Sequence, residues 1–182
     1  MRKEDIRRII RARKALLSEI ERIDAADRAF SRLEQSAAFI MAERILMYHS
    51  LPDELSTRRF LDKWTGMKEF FLPRVNGLNL EILPYDRSRL SLGSFQIEEP
   101  TGDETVSLDD IDLVVVPAVA YDPAGNRVGR GKGYYDRLLG PGCRATTVGV
   151  CYDFQLVDEI ETDPYDVPVD IVITETRRFV RR

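Results

Sequence analysis

The run Leu113-Val114-Val115-Val116, stopped by Pro117, constrains this chain more than any other stretch. A strand with one wet face alternates apolar and polar residues. An unbroken β-branched and leucine run instead fits a strand covered on both faces, as in a parallel sheet. Thr146 to Val150 and Val169 to Thr174 have the same character. Shorter strands are expected at Arg44 to Tyr48 and at Glu69 to Leu72, the latter closed by Pro73, and Leu78 to Leu83 is placed to pair with a neighbour.

Helical patterns separate several of these strands. Ile6, Ile10, Leu17 and Ile20 recur at helical spacing with no Gly or Pro between them, which predicts a helix from about Lys3 to Ile23. Phe30, Leu33, Ala37 and Ile40 give a second stripe, over Asp27 to about Glu43, and Ser56 to Trp64 reads as a third helix. Residues 86–110 are polar, contain Gly93, Pro100 and Gly102, and are expected to be mostly loop. Strands alternating with helices predict an α/β fold: a three-layer, Rossmann-like, mostly parallel sheet with helices on both faces. Without repeat or linker, the chain reads as one domain over residues 1–182.

Composition removes whole classes of function. The chain is 43% hydrophobic and 32% charged, a globular balance, with a formal net charge of -4 that gives no support to nucleic acid as a partner. The longest apolar stretch, around Leu113 to Tyr121, is too short to span a bilayer, and the charged N-terminus lacks the apolar core of a signal peptide. We therefore expect a cytoplasmic protein, with no membrane and no nucleic-acid partner, and a monomer. Cys143 and Cys151 form no CxxC pair, and with the single histidine, His49, they make no metal-ligand cluster.

Chemistry concentrates in Gly125-Asn126-Arg127-Val128-Gly129-Arg130-Gly131-Lys132-Gly133-Tyr134-Tyr135-Asp136-Arg137. Gly129, Gly131 and Gly133 leave the backbone open, so that amides can approach an anion closely. Arg127, Arg130 and Lys132 supply fixed positive charge for phosphate oxygens. Asp136 adds a hard oxygen suited to Mg²⁺. The spacing is neither a Walker A loop nor a dinucleotide fingerprint, because Gly133 stands where a hydroxyl residue would follow the lysine and the glycines run GxGxG. The alternatives are a glycine-rich turn capped by a helix, a phosphate-ester site such as that of a sugar-phosphate isomerase, and a nucleotide- or RNA-binding module using the basic N-terminal helix.

From Val116 to Arg137 the sequence VPAVAYDPAGNRVGRGKGYYDR resembles the signature of the 5-formyltetrahydrofolate cyclo-ligase family, also called methenyltetrahydrofolate synthetase. Weaker likeness extends along nearly the whole chain. Lys3 and Arg7 match the family's N-terminal KxxxR, Asp53-Glu54 its substrate-side acid, and Tyr165-Asp166-Val167-Pro168-Val169-Asp170 its second acidic element. Two positions depart from the pattern. Ala118 stands where glycine often follows the proline, and Tyr165 stands where histidine often precedes the aspartate.

The resemblance implies an enzyme that uses ATP and Mg²⁺ to cyclise 5-formyltetrahydrofolate to 5,10-methenyltetrahydrofolate, releasing ADP and phosphate. It assigns ATP binding to Lys3, Arg7, Arg127, Gly129, Arg130, Gly131, Lys132, Gly133, Tyr134 and Tyr135. Arg130 and Lys132 are the expected catalytic cations. His49, Glu54, Arg130 and Tyr134 are expected on the folate, and Asp136 and Asp166 on the metal. Read without the resemblance, Lys3 and Arg7 are simply the solvated side of an amphipathic helix, Glu54 a turn acid and His49 a packed strand-end histidine.

Overall fold

The computed structural model describes residues 1–93, 97–140 and 142–181. The part of the expected 86–110 loop at residues 94–96 lies outside them.

Seven strands form the central sheet: β1 (Arg44–Leu46), β2 (Glu69–Asn76), β3 (Asn79–Pro84), β6 (Leu113–Val115), β9 (Thr146–Val150), β10 (Ile171–Ile173) and β11 (Arg178–Val180). Their order is β11-β10-β9-β6-β1-β2-β3. Every inner pair is parallel, and only the two edge strands, β3 and β11, run antiparallel. The expected mostly parallel α/β sheet is therefore present. Numbered in chain order, the five parallel strands run 2-1-3-4-5, so the winding direction reverses between β1 and β6. Ligands of doubly wound sheets bind beyond the carboxyl ends of the strands at such a reversal.

Each inner strand sends alternate residues to opposite faces. On one face Ile45, Met47, Leu72, Val115 and Val150 pack under the helices α2 (Glu19–Glu34), α3 (Ala37–Met41) and α4 (Arg58–Trp64). Aromatic rings fill this layer. Phe60 stacks on Phe30 at 4.8 Å between centroids and meets Phe39 at 5.4 Å and Phe70 at 5.9 Å. On the other face Leu46, Phe71, Val114 and Val172 meet Tyr121 and Leu139, from the hairpin β7 (Ala120–Tyr121)–β8 (Arg127–Val128) and the short helix α5 (Tyr134–Leu139). Helices thus lie on both faces, but in unequal amounts. The N-terminal helix α1 (Lys3–Lys14) stands apart from the sheet, with Ile6 and Ile10 packed against Ala120, Val128 and Ile160.

The expected helix through Ile23 instead divides after Lys14. Ser18 caps a new helix by accepting from the Glu21 backbone N–H, while the Glu21 side chain accepts from the Ser18 N–H. This reciprocal pair makes initiation at Glu19 more favourable than continuation. Ile20 is consequently exposed. The second stripe also ends early, since Ser36 starts α3 by accepting from the Phe39 N–H, which buries Phe39 and leaves Ala37 and Ile40 outside.

Strand β2 continues past Pro73 to Asn76. Pairing of β1 ends at Phe71, so the N–H that Pro73 lacks would face a position with no strand partner. The expected loop also contains a small antiparallel pair, β4 (Leu90–Leu92) and β5 (Glu98–Pro100). It is short and polar, with one side in water, so its strands carry little apolar signal. Glu99 from β5 accepts the Val75 N–H at 2.7 Å, which satisfies the edge of β2 beyond the end of β1.

Candidate active site

Beyond the carboxyl ends of β1 and β6 lies an open cavity of about 970 Å³. Tyr48 and His49 follow β1 into its wall, and Pro117 and Ala118 follow β6. The cavity therefore sits at the winding reversal.

The glycine loop forms one wall, with Gly129, Arg130, Gly131, Lys132 and Gly133 all lining the cavity. Gly131 and Gly133 have φ of 101° and 70°, a backbone region that other residues adopt at a cost, so glycine is needed for the loop to take this path. Gly133 leads directly into α5, which places Tyr134, Tyr135 and Asp136 on the same wall. Tyr135 is partly buried, and the loss of water around its phenol pushes its pKa above the ordinary range. Arg130 and Lys132 are exposed to the cavity.

The N-terminal helix closes the cavity from above. The Arg7 Nε donates to the Gly129 carbonyl at 2.9 Å, so helix and loop meet directly. One turn earlier, the Lys3 Nζ pairs with Asp163 at 3.0 Å and with Asp166. Burial alone would lower the Lys3 pKa, but the two carboxylates outweigh it and hold the ammonium above its ordinary value. Burial likewise works to raise the Asp166 carboxyl. The Asp163 N–H and Lys3 reverse that effect and leave it below the usual carboxylate range.

Arg127 and Asp136 form the least exposed ion pair, 2.7 Å between Nη2 and Oδ1, with the Arg127 side chain 7% exposed. The same Asp136 oxygen accepts the Val167 N–H at 3.0 Å, fixing the loop that carries Asp166. Arg127 Nε is buried without a hydrogen-bond partner. Burying such a donor costs free energy, so its presence at a cavity wall needs a reason beyond packing.

The loop after β1 makes the opposite wall. Thr57 Oγ1 donates to the Tyr48 carbonyl at 2.9 Å and accepts from Ser50 N–H at 3.1 Å, and this pins the loop that carries His49, Asp53 and Glu54. Glu54 accepts the Leu51 N–H at 2.8 Å and lies 3.9 Å from Arg130. Burial raises its carboxyl pKa by more than that N–H and Arg130 lower it. His49 Nδ1 is 3.5 Å from Glu98 Oε2, and burial first, then Arg58, pulls the imidazole below its ordinary value.

The structure thus brings every expected site residue, from Lys3 and Arg7 through His49 and Glu54 to Asp136 and Asp166, to one cavity. Of the two departures, Ala118 lines it, whereas Tyr165 is 88% exposed on the loop before Asp166. Among the charged residues in or behind the walls, Asp163 and Lys14 were not singled out from the sequence, and Asp53 entered only as the neighbour of Glu54 in the family resemblance. Asp163 shares Lys3, Asp53 holds Arg130 at 3.2 Å, and the buried Lys14 stands behind Asp53. Asp163 had only its closeness to Asp166 as a signal. Lys14 had none, since a cation in a helix rich in arginine reads as solvated.

Among the described residues no group of three or more His, Cys, Asp or Glu side chains could hold a metal ion, and no helix is long and apolar enough to cross a membrane. Asp136 and Asp166 are hard oxygen donors on one cavity, each already meeting a cation through one oxygen. That set suits Mg²⁺ arriving on a polyphosphate, which needs one or two carboxylates and keeps its waters, rather than a dedicated protein cage.

The family model for the 5-formyltetrahydrofolate cyclo-ligase family matches residues 1–175. The 5-formyltetrahydrofolate cyclo-ligase of Escherichia coli (strain K12) is 29% identical over 178 residues, covering 93% of this chain and 98% of that one. The protein of that name from Mus musculus is 29% identical over 191 residues, covering 90% and 94%. Among solved structures, the NMR structure of Aquifex aeolicus 5,10-methenyltetrahydrofolate synthetase superposes with a TM-score of 0.88 at 32% identity, over 99% of this chain and 93% of that one. A 5,10-methenyltetrahydrofolate synthetase from Mycoplasma pneumoniae shares the fold, with a TM-score of 0.75 at 23% identity over 95% and 98%.

Proposed function

The chain belongs to the 5-formyltetrahydrofolate cyclo-ligase family, and from that premise we propose that it closes 5-formyltetrahydrofolate to 5,10-methenyltetrahydrofolate at the expense of ATP, in the cytoplasm and as a monomer. One observation carries the reading. A glycine loop with Arg130 and Lys132, two helix cations, and the carboxylates Asp136 and Asp166 converge on a single cavity at the winding reversal.

The chemistry explains why ATP is needed. A formamide carbon is a poor electrophile and its oxygen a poor leaving group. Transfer of the terminal phosphoryl group to the formyl oxygen releases ADP and makes an imidate-like phosphate. The folate N10 then attacks the formyl carbon and gives up its proton to the departing phosphate or to water, the C–O bond breaks, and phosphate leaves with its electron pair.

The protein's part is alignment and charge neutralisation, as in other phosphoryl transfers. Lys3 and Arg7 hold ATP from α1. Arg127, Lys132 and the open backbone at Gly129, Gly131 and Gly133 receive phosphate oxygens. Arg130 lies between this wall and Glu54, within 3.9 Å of the latter, and is placed to steady the transferring group. Glu54 and His49 receive the pterin and formyl end, with Tyr134 and Tyr135 at the junction of the two substrates. Asp136 and Asp166 would hold Mg²⁺, which would supply charge neutralisation on the phosphates. The buried Arg127 Nε, which has no hydrogen-bond partner, fits a phosphate oxygen.

The test is to mix purified protein with 5-formyltetrahydrofolate and follow the near-ultraviolet absorbance of the methenyl product. Growth that requires both ATP and Mg²⁺ is expected. No product from folded protein that binds Mg-ATP would move the reading to another phosphoryl acceptor.

A further inference from the structure

Lys14 is the last residue of α1 and is 5% exposed. Its Nζ lies 3.8 Å from Asp53 Oδ2. Both oxygens of that carboxylate accept from Arg130 Nη2 at 3.2 Å, and Arg130 in turn faces Glu54 at 3.9 Å. Four charges of alternating sign therefore run from behind the wall into the cavity. Arg22 fastens the inner end, with Nη2 donating to the Lys14 carbonyl at 2.7 Å and Nη1 to the Pro52 carbonyl at 3.4 Å.

The two cations on Asp53 differ in freedom. The Arg130 side chain is 49% exposed and has room to swing, whereas the Lys14 side chain is 7% exposed and enclosed along its stem. Stability does not explain Lys14. Burial pulls its pKa down by more than Asp53 restores, and a buried cation commonly costs more than an apolar residue of the same volume. Asp53, with two oxygens and two cations, has an alternative partner whenever Arg130 leaves.

We propose that Lys14 is a positioning residue: it keeps Asp53 compensated when Arg130 leaves to meet a bound anion, and so prevents Asp53 from pinning Arg130 to the wall. The proposal rests on the reading above in which Arg130 serves the reacting phosphate. With Lys14 removed, Arg130 is the one remaining cation hydrogen-bonded or paired to Asp53 among the described residues, and its departure strands the carboxylate.

The experiment compares wild type, Lys14→Met, Asp53→Asn and the double variant in steady-state turnover and in calorimetric Mg-ATP binding, with Tm as a check on folding. Lys14→Met is expected to lower kcat about ten-fold, a loss typical of one misplaced charge–charge contact, while KM for 5-formyltetrahydrofolate stays near wild type and Tm does not fall. Adding Asp53→Asn should return kcat towards the Asp53→Asn level, because a neutral amide no longer pins the guanidinium. A packing defect at Lys14 would not be repaired by a change at Asp53. Wild-type kcat in Lys14→Met, or a loss that Asp53→Asn leaves unchanged or deepens, overturns the proposal. Should Lys14→Met not fold, Lys14→Gln is read against the same partner. A wild type that binds Mg-ATP without cyclising the folate sinks the functional reading, while weaker Mg-ATP binding in Lys14→Met restored by Asp53→Asn still upholds the relay. A wild type that does not bind Mg-ATP overturns both.

Discussion

The helical face of the sheet and the cavity at its carboxyl edge solve opposite problems. Under α2, α3 and α4 most contacts are apolar: Phe30, Phe39, Phe60 and Phe70 interlock, and charge enters mainly at the margin, as with the buried Nε of Arg32. Around the cavity, charges are partly or wholly withdrawn from water, as in Arg127–Asp136, Lys3–Asp166 and Lys14–Asp53. The first arrangement lowers the free energy of the fold directly. The second gains little or costs stability, because desolvation opposes each attraction. Stability and chemistry are thus allotted to different sides of one sheet.

Four substitutions test this division. The largest effect is expected from Phe60→Ala, which opens a cavity among three rings and should cost about 3–5 kcal/mol of stability by denaturant titration. The protein that remains folded should keep its KM values; a large KM change would mean that the faces are coupled. Lys132→Ala should do the reverse, lowering turnover about 10²–10³-fold, the size of losing one transition-state donor, with Tm within a degree or two of wild type. Near-normal turnover would remove Lys132 from the phosphate site. Asp136→Asn should raise the Mg²⁺ concentration needed for half-maximal turnover several-fold, and an unchanged metal titration would refute its role as a ligand.

The smallest effect is thermodynamic. Burial raises the Glu54 carboxyl above its ordinary value. Its contribution to stability is therefore fully present below the ordinary carboxyl pKa and is lost as pH rises through the raised folded value. Glu54→Gln removes that loss. The variant should be slightly more stable than wild type at pH 7, and the gain should vanish near pH 4, measured by chemical denaturation at both. A constant difference across that range would show that the charge is not what costs stability there.

The same division governs what could be read without coordinates. Leu113–Val115, Thr146–Val150 and Ile171–Ile173 announce themselves because strands buried on both faces lack the regular apolar–polar alternation of a half-wet strand. The glycine loop is visible because its backbone path excludes other residues at Gly131 and Gly133. The break after Lys14 was encoded in Ser18 and Glu21, but an uninterrupted apolar period outweighed a two-residue signal. Strands β4 and β5 escaped because a short pair with a wet side has the composition of a loop. Lys14 escaped for a deeper reason. Burial of a helix cation is decided by which distant residue covers it, here Asp53, and nothing local encodes that meeting.

The position of α1 has a consequence for biosynthesis. It leaves the ribosome ahead of its docking partners Ala120, Val128 and Ile160, which come more than a hundred residues later. At 12 residues it is too short to persist alone in water. While the sheet assembles, the segment bearing Lys3, Arg7 and Lys14 waits as an undocked, strongly basic peptide. A nascent chain halted before Ile160 therefore lacks one of the three residues on which α1 docks, and the roof over the glycine loop is completed only once residue 160 has emerged.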